Sequence, residues 1–339
     1  MRKKTALKDI AERIGVSTAL VSYVLNNQEE EKRVGKEIAL KIREVAKEMN
    51  YTTNQIAKSL KTRKTNTIGF VVADINYRFT TGVTRAIEAE CQKFNYTVIF
   101  GSSHEDPVRF AEVVNVLVNR QVDGLILIPV EKCEEQIEYL KQYEIPFVLI
   151  DRILPNVDAN LIAIDNVSAA FQATRHLIRT GHKRIGMVTY KTTLMHLQDR
   201  KKGYFDALEA AGIRPDENLV KEIPDHHNEQ HLNTCLDELM KLLPKCDSVF
   251  FATDTLAVNG LRHINALKIN VPKRLGIVSF DASEAFELFY CKITHGRQPL
   301  EEIGRLAVNT LLDVMKHKKT KRKIMLETDF HIGQSCGEK

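Results

Sequence analysis

The sequence predicts an α/β protein in which an N-terminal helix-turn-helix headpiece of three helices precedes two doubly wound α/β lobes. Three observations predict this architecture. Two short amphipathic helices are joined by a glycine near the N-terminus, the excess of basic residues lies in the first fifth of the chain, and short apolar runs alternate with helical segments from Thr67 onward. A chain of 339 residues is too long for one ordinary core, so two or three domains are expected.

The two amphipathic helices lie within residues 4–27. Apolar residues from Leu7 to Ile14 form one helical face, and Gly15 permits a sharp turn. Ser17 is the predicted N-cap of a second helix. The positions of that helix that face outward are Thr18, Ala19, Ser22 and Tyr23. A helix-turn-helix presents its recognition helix to the DNA major groove in this way, although a surface helical hairpin in a larger helical domain would have the same pattern.

The distribution of charge favours nucleic-acid binding by the N-terminal segment. Residues 1–65 contain 15 Lys and Arg against 8 Asp and Glu, a net charge of +7, so the remainder of the chain carries −2 of the total of +5. A segment that neutralises DNA phosphates is expected to concentrate basic charge in this manner.

A third helix and a basic stretch complete the N-terminal region. Apolar residues from Ile38 to Met49 form a regular stripe that can close a small core over the first two helices. In residues 51–67, Leu60 stands among four basic side chains with weak helical spacing. This pattern is that of a short helix whose leucine enters the minor groove, and the alternative is a solvated basic linker.

The remainder of the chain has the pattern of parallel sheets buried on both faces. Helical segments separate eight apolar runs of strand length. These runs are TIGFVVAD, YTVIFGSS, VDGLILIP, PFVLID, LIAIDN, RIGMVTY, SVFFATD and LGIVSFD. The pattern begins again after Asp151, so the sequence predicts two lobes with a boundary near residue 160.

Polar residues at the ends of these strands are candidate ligand contacts, because ligands of open α/β sheets bind outside the carboxyl ends of the strands. Taken singly, each of these residues is more often a turn former or a helix cap. The candidates are Asp74, Asn76, Ser102, Ser103, Asp151, Arg152, Asp165, Asn166, Asp254 and Asp281. The sequence contains no G-x-G-x-x-G or P-loop nucleotide motif and no G-x-S-x-G nucleophile motif, so an enzyme is not predicted.

Other features set limits on location and chemistry. There is no run of 18 apolar residues and no apolar stretch behind the basic N-terminus, so a cytoplasmic protein without a membrane partner is expected. The six cysteines are scattered and have no zinc-type spacing, which predicts reduced thiols, no metal and no cofactor.

Several long stretches resemble the LacI family of bacterial transcription regulators. They are LKDIAERIGVSTALVSYVLNN, NQIAKSLKTRKTNTIGFVVADI, IDNVSAAFQATRHLIRTGHKRIGMV, FATDTLAVNG and GIVSFD. The resemblance implies a headpiece in residues 1–50, a hinge helix or linker in 51–66, and a two-lobed effector domain like that of periplasmic binding proteins. It further implies an N-terminal lobe of residues 67–160 with 295–325 and a C-terminal lobe of 161–294 with 326–339, because the chain would cross between lobes near His295 and Leu326.

The resemblance also implies roles for individual residues. In the headpiece, Thr18, Ala19 and Tyr23 would face bases, and Ser17, Ser22 and Asn26 would contact or orient the DNA backbone. In the hinge, the DNA-binding positions would be Asn54, Ala57, Leu60 and Lys61, with Leu60 as the minor-groove wedge. The positions that would line the effector cleft are Asn76, Phe79, Asp151, Arg200, Asp254, Asp281 and Gln298. Four residues depart from the family pattern, namely Tyr23, Gly35, Thr53 and Thr80.

The function predicted from these features is a ligand-responsive, sequence-specific transcription regulator that acts as a repressor. It would bind a pseudo-palindromic operator as a homodimer or higher oligomer and would switch when a sugar or similar small effector enters the cleft. The alternative is a doubly wound solute-binding or enzyme-type protein without a role in DNA regulation. A solute-binding protein of a transporter would need an export signal, and the sequence contains none.

Overall fold

The computed structural model describes residues 5–51, 64–224, 229–241, 246–316 and 322–337. The chain divides into two compact units, Met1–Thr65 and Asn66–Lys339. In the described ranges, no helix is long and apolar enough to cross a membrane. The six cysteines, all of which are described, are unpaired, and four of them are buried.

The first unit contains the three predicted helices, α1 (Leu7–Ile14), α2 (Thr18–Leu25) and α3 (Lys36–Glu48). Gly15 ends α1 with a φ of 78°, a left-handed conformation that glycine adopts without steric penalty. The helices close over a small core whose fully buried residues are Ile10, Ala11, Val21, Val24, Ala39, Ile42 and Ala46. The inward and outward faces predicted for α1 and α2 are therefore confirmed.

The second unit alternates strands and helices. In chain order these are β1 (Thr67–Val72), α4 (Arg78–Lys93), β2 (Thr97–Ser102), α5 (Pro107–Asn119), β3 (Gly124–Leu127), α6 (Glu134–Gln142), β4 (Phe147–Ile150), β5 (Leu161–Ile164), α7 (Asn166–Arg179), β6 (Ile185–Tyr190), α8 (Met195–Ala210), β7 (Val220–Ile223), α9 (Glu229–Lys241), β8 (Ser248–Phe251), α10 (Asp254–Ala266), β9 (Gly276–Phe280), β10 (Thr294–Arg297), α11 (Leu300–Met315), β11 (Lys323–Leu326) and β12 (Asp329–His331). All eight apolar runs form strands. The helix α11 and the short strands β7, β10, β11 and β12 are not among the elements predicted from the sequence.

The strands form two six-stranded sheets. The first has the order β11-β5-β4-β3-β1-β2 and is parallel throughout. The second has the order β12-β10-β9-β8-β6-β7, and β12 alone among the described strands of this sheet is antiparallel to its neighbour. The two-lobed, doubly wound α/β class predicted from the sequence is confirmed. Because the two orders correspond position by position, β4 and β9 occupy equivalent places in their lobes.

The strands join the sheets at slightly different points from those predicted. β5, which was placed in the C-terminal lobe, pairs with β4 and β11 in the first sheet, so the first crossing follows Ile164. β10 pairs with β9 in the second sheet, so the second crossing follows Arg297 and not residue 294. The third crossing follows Leu326, which pairs with Ile164 and belongs to the first sheet. Apolar patterning identifies a strand but does not specify which sheet the strand joins, and the predicted boundaries were therefore displaced by a few residues.

Candidate functional site

The headpiece exposes one end of α2. The Ser17 hydroxyl accepts a hydrogen bond of 3.2 Å from the Leu20 amide, as an N-cap does, and Thr18 and Ala19 are exposed. Ser22 and Tyr23 are partly exposed. The first turn of α2 contains no acidic residue, so its positive dipole is not neutralised by a neighbouring carboxylate of that turn. This geometry suits contact with a DNA phosphate and an adjacent groove.

Two further headpiece positions lie at the ends of helices, and the DNA contact of Asn26 stays a prediction. Asn26 caps the end of α2, where its Nδ2 donates to the Ser22 carbonyl at 2.8 Å. Gly35 precedes α3 and provides no side-chain cap. The hinge positions lie outside the described residues, and their proposed roles stay predictions. These positions are Thr53, Asn54, Ala57, Leu60 and Lys61.

A cavity of about 510 Å³, including its opening to solvent, lies where the carboxyl ends of strands from both sheets meet. Six of the seven predicted effector positions are brought together there. The cavity is lined by Tyr77, Phe79, Asp151, Arg152, Tyr190, His196, Leu197, Arg200, Thr253, Asp254, Thr255, Asp281 and Gln298. The exception is Asn76, which is exposed and does not line the cavity; its backbone amide donates to Asp74 Oδ1 at 2.8 Å.

Asp151 and Asp281 are structural equivalents in the two lobes. Each directly follows its strand, β4 or β9, and each has a positive φ, 68° and 66° respectively. Aspartate tolerates this left-handed conformation better than most residues, but it still costs about 1 kcal/mol or more. The same strained backbone therefore directs one carboxylate from each lobe to the cavity.

Arg200 on α8 is held by three contacts of the second lobe. Its Nε donates to Asn166 Oδ1 and its Nη1 to the Ala252 carbonyl, both at 2.8 Å, and its guanidinium carbon lies 3.4 Å from the centre of the Phe280 ring. Only 3% of the residue is exposed. These contacts fix the guanidinium at the cavity wall, where it can hold a hydroxylated or anionic ligand.

A glycine on α8 allows this arrangement. A Cβ at Gly203 would lie 2.2 Å from the Val167 carbonyl oxygen of α7 and 2.9 Å from the Phe171 amide nitrogen. Only glycine permits the two backbones to approach so closely. Because Asn166 begins α7, this approach brings its side chain within hydrogen-bonding distance of Arg200.

Arg152 has its own counterion in the first lobe. Its Nη1 and Nη2 bind the two carboxylate oxygens of Glu105 at 2.7 and 2.6 Å, and Nη1 also donates to the Pro129 carbonyl at 3.0 Å. Its Nε lies 3.6 Å from Asp151 Oδ2. Arg152 is among the strand-end candidates predicted from the sequence, whereas Glu105, which is distant in the chain, is not.

Two acceptors of the cavity retain capacity for a ligand. Gln298 Nε2 donates to Asp281 Oδ1 at 2.9 Å, whereas Gln298 Oε1 is buried and has no hydrogen-bond donor among the described residues. Asp254 Oδ2 is likewise buried without a donor in the described ranges, and Arg78 Nε lies 3.9 Å from it.

The protonation equilibria of the cavity reflect burial. Burial raises the pKa of Asp151 to about 6 and that of Asp281 to about 6, although the neighbouring guanidinium groups oppose the shift. Burial also raises the pKa of Asp254 and lowers that of Arg200. The carboxylates are therefore incompletely stabilised by the protein alone and would gain from a hydrogen-bond donor or a cation.

Two contacts cross the cleft at its rim. Glu131, which follows β3, accepts hydrogen bonds from the Thr192 hydroxyl and from the Thr193 amide, the latter at 2.6 Å. Although burial opposes it, these bonds lower the pKa of Glu131. Arg78 on α4 lies 3.9 Å from Asp254 and 4.0 Å from Glu284 of the second lobe. The structure is therefore that of a closed cleft with polar contacts across it.

Some lining residues could have been found from the sequence. Tyr190 is the last residue of β6, and Thr253 and Thr255 flank the predicted Asp254. His196 precedes Arg200 by four positions on the same helix face. Tyr77 carries no comparable pattern.

Comparisons with known proteins agree with this architecture. Residues 6–54 match the family described as bacterial regulatory proteins, lacI family, and residues 174–336 match the periplasmic binding protein-like domain. The ribose operon repressor of Haemophilus influenzae is 31% identical over 97% of this chain and 98% of its own length. The chain is also similar to the transcriptional regulator CelR in complex with cellobiose, with 26% identity, a TM-score of 0.72 and coverage of 98% of this chain and 100% of that one.

A solved structure of lower sequence identity has the same fold. The lac repressor dimer bound to operator and the anti-inducer ONPF has a TM-score of 0.86 over 99% of this chain and 100% of that chain, at 19% identity. The curated relatives are transcription regulators and not enzymes. With a helix-turn-helix headpiece, two doubly wound lobes and a relative that matches nearly its whole length, the chain belongs to the LacI family of bacterial transcription regulators.

Proposed function

We propose that this protein is a repressor that binds a pseudo-palindromic operator as a homodimer. Its affinity for the operator falls or rises when a sugar or similar small effector binds in the cleft. The acceptor-rich cavity between the lobes carries the proposal. Carboxylates at Asp151, Asp254 and Asp281 are costly to gather in a closed cleft unless a ligand with several donors satisfies them. Related proteins support the sugar class, since one is a ribose operon repressor and another was solved with cellobiose.

The headpiece supports the DNA-binding part. Thr18, Ala19 and Tyr23 are proposed to face bases, and Ser17, Ser22 and Asn26 to contact or orient phosphates. A single helix-turn-helix reads one half-site of an operator. A dimer with two-fold symmetry would therefore match an operator with two-fold symmetry. From the sequence, Asn54, Ala57, Leu60 and Lys61 are proposed to bind the central minor groove.

The contacts at the cleft rim support the switch. An effector that binds both lobes stabilises the closed form, and the shift in operator affinity can be no larger than the effector's preference for that form. The hydrogen bonds that Thr192 and Thr193 donate to Glu131 support a contribution of the protein itself to closure.

A comparison of the full chain with a form lacking residues 1–64 tests both parts. A thermal-shift screen against sugars and nucleobases identifies a ligand, and operator binding is then measured with and without it at two salt concentrations. The full chain should bind its operator with strong salt dependence and respond to the ligand, whereas the shortened form should bind the ligand but not the operator. Specific operator binding by the shortened form would contradict the headpiece assignment, and operator binding that ignores every bound ligand would contradict the switch.

A further inference from the structure

The charges that line the cavity do not balance. Three carboxylates, from Asp151, Asp254 and Asp281, face two guanidinium groups, from Arg152 and Arg200. Arg152 is engaged bidentately by Glu105, and its Nε also lies 3.6 Å from Asp151, so Arg200 is the lining guanidinium that faces Asp254 and Asp281. His196 also lines the cavity and would add positive charge only when protonated.

One cavity acceptor that lacks a hydrogen-bond donor among the described residues belongs to Asp254. This residue is 6% exposed, and its Oδ2 is buried without a hydrogen-bond donor in the part of the chain that the structure describes. The nearby Arg78 Nε is 3.9 Å away, beyond hydrogen-bonding distance, and that side chain is 46% exposed, so water screens its charge. Gln298 Oε1 is a second buried acceptor of the same cavity that lacks a donor there.

These acceptors select the chemical class of the ligand. A neutral polyol can donate hydrogen bonds to them but leaves the excess negative charge in place. A phosphorylated sugar would add further negative charge to a cavity that is already acidic. A protonated amine has three donors and no acceptor, and it would both satisfy Asp254 Oδ2 and reduce the net charge of the closed cleft.

We propose that the effector is a polyhydroxylated amine, such as an amino sugar, whose ammonium group is bound by Asp254. This inference rests on the proposed effector site and specifies its ligand. Burial raises the pKa of Asp254, although hydrogen bonds from Thr255 and the charges of Arg78 and Arg200 oppose the shift. Arg200 and Asp281 would hold the hydroxyl groups, and Phe79 would cover the apolar face of the ring.

Asp254 also has a structural role that must be separated from ligand binding. It occupies the first turn of α10, where an acidic side chain stabilises the helix dipole. A purely structural role would change the stability of the core but would not change the preference between an amine and its hydroxyl analogue. The ratio of these two affinities is therefore the quantity that tests the proposal.

The experiment uses matched pairs of ligands with the full-length protein. Calorimetry at pH 7.0, where an amine of pKa near 8 is mostly protonated, compares glucosamine with glucose, galactosamine with galactose and mannosamine with mannose. The phosphorylated sugars are measured beside them. In at least one pair the amine should bind about 10-fold or more tightly than the neutral sugar, as expected for a charge-assisted hydrogen bond, and the phosphate should not bind detectably.

Two variants test whether the preference for the amine over the neutral sugar depends on Asp254. Asp254→Asn keeps the shape of the side chain and should reduce the amine-to-hydroxyl ratio to within about 2-fold. Asp281→Asn is the matched control, because the Asp281 carboxylate already accepts a hydrogen bond from Gln298. This variant should bind both the amine and the neutral sugar more weakly and should retain most of the amine-to-hydroxyl affinity ratio. Thermal unfolding confirms that each variant is folded.

The outcomes are distinct. Neutral sugars that bind as tightly as their amines would overturn the amine assignment and leave the sugar-responsive function intact. An unchanged ratio in Asp254→Asn would remove Asp254 from the amine site. If a folded protein bound no member of any pair, both the amine assignment and the proposed sugar effector would fail.

Discussion

The substitution Arg200→Lys tests whether the cavity needs a guanidinium group or only a positive charge. The guanidinium donates to the Asn166 side chain and the Ala252 carbonyl at 2.8 Å and stacks on Phe280. A lysine ammonium keeps the charge among the three carboxylates, but it cannot reproduce two fixed donors together with the planar stacking.

The expected magnitude follows from these contacts. Leaving a buried acceptor unsatisfied costs about 1–3 kcal/mol, and loss of the cation–π contact adds about 0.5–2 kcal/mol. Since the lysine can recover one donor, we expect the free energy of unfolding of the effector domain to fall by about 2–4 kcal/mol. Ligand affinity should fall by about 1.5–3 kcal/mol if the guanidinium holds the ligand by charge-assisted bonds.

Two measurements separate these effects. Because the chain contains no tryptophan, unfolding is followed by circular dichroism, and ligand binding by calorimetry. Arg214→Lys, at an exposed position, is the control and should change neither quantity. An unchanged unfolding free energy in Arg200→Lys would refute the structural role of the two hydrogen bonds. An unchanged ligand affinity would remove the guanidinium from the ligand site.

Three further predictions concern the cleft and its support. Glu131→Ala removes both hydrogen bonds across the rim and should weaken ligand binding by about 1–2 kcal/mol while raising the radius of gyration in small-angle scattering, whereas the exposed Glu135→Ala should do neither. Gly203→Ala forces α7 and α8 apart and should lower the unfolding free energy by about 1–3 kcal/mol, whereas Gly296→Ala, where a Cβ would meet no atom within 4 Å, should be nearly neutral. The pKa of Asp281 is about 6, so this residue becomes protonated between pH 7 and 5. Its protonation should weaken the binding of a hydroxyl-donating ligand by up to about tenfold. The same protonation should raise the stability of the ligand-free protein, because the folded state binds this proton more tightly than the unfolded state. Calorimetry and denaturation at several pH values should show both trends, and Asp281→Asn should reduce them to the part contributed by Asp151, whose pKa is also about 6.

Part of the site could be predicted because strand ends are recognisable in sequence. Asp151, Asp254 and Asp281 each directly follow or lie near the end of an apolar run, and parallel strands bring such ends to one edge. Arg200 lies within a helix and was identified through the family resemblance. Asn76 shows the limit of the rule, since it is exposed to solvent although Tyr77 and Phe79, a few residues later, line the cavity.

The features that could not be predicted depend on contacts between distant parts of the chain. Glu105 and Arg152 are 47 residues apart, and Glu131 and Thr192 are 61 residues apart. No periodicity relates such partners, because their proximity results from how loops at different strand ends pack. The strands β10 and β11 are not predicted by the apolar pattern, because each is short and contains polar residues.

The distribution of contacts explains how the cleft could open and close without rebuilding its site. The contacts that hold Arg200 come from Asn166, Ala252 and Phe280, all in the second lobe. Those that hold Arg152 come from Glu105 and Pro129 in the first lobe. Each half of the site is therefore preorganised within its own lobe.

Opening the cleft would then separate two formed half-sites and would break the contacts at its rim. Under this arrangement, little of the free energy of effector binding is needed to order side chains. Most of the effector's preference for the closed form can therefore shift the equilibrium between the open and closed cleft. A shift from 1% to 99% closed requires about 10⁴-fold tighter binding to the closed form, or about 5.5 kcal/mol. Two or three charge-assisted hydrogen bonds, formed only when both halves meet around the ligand, are sufficient to supply it.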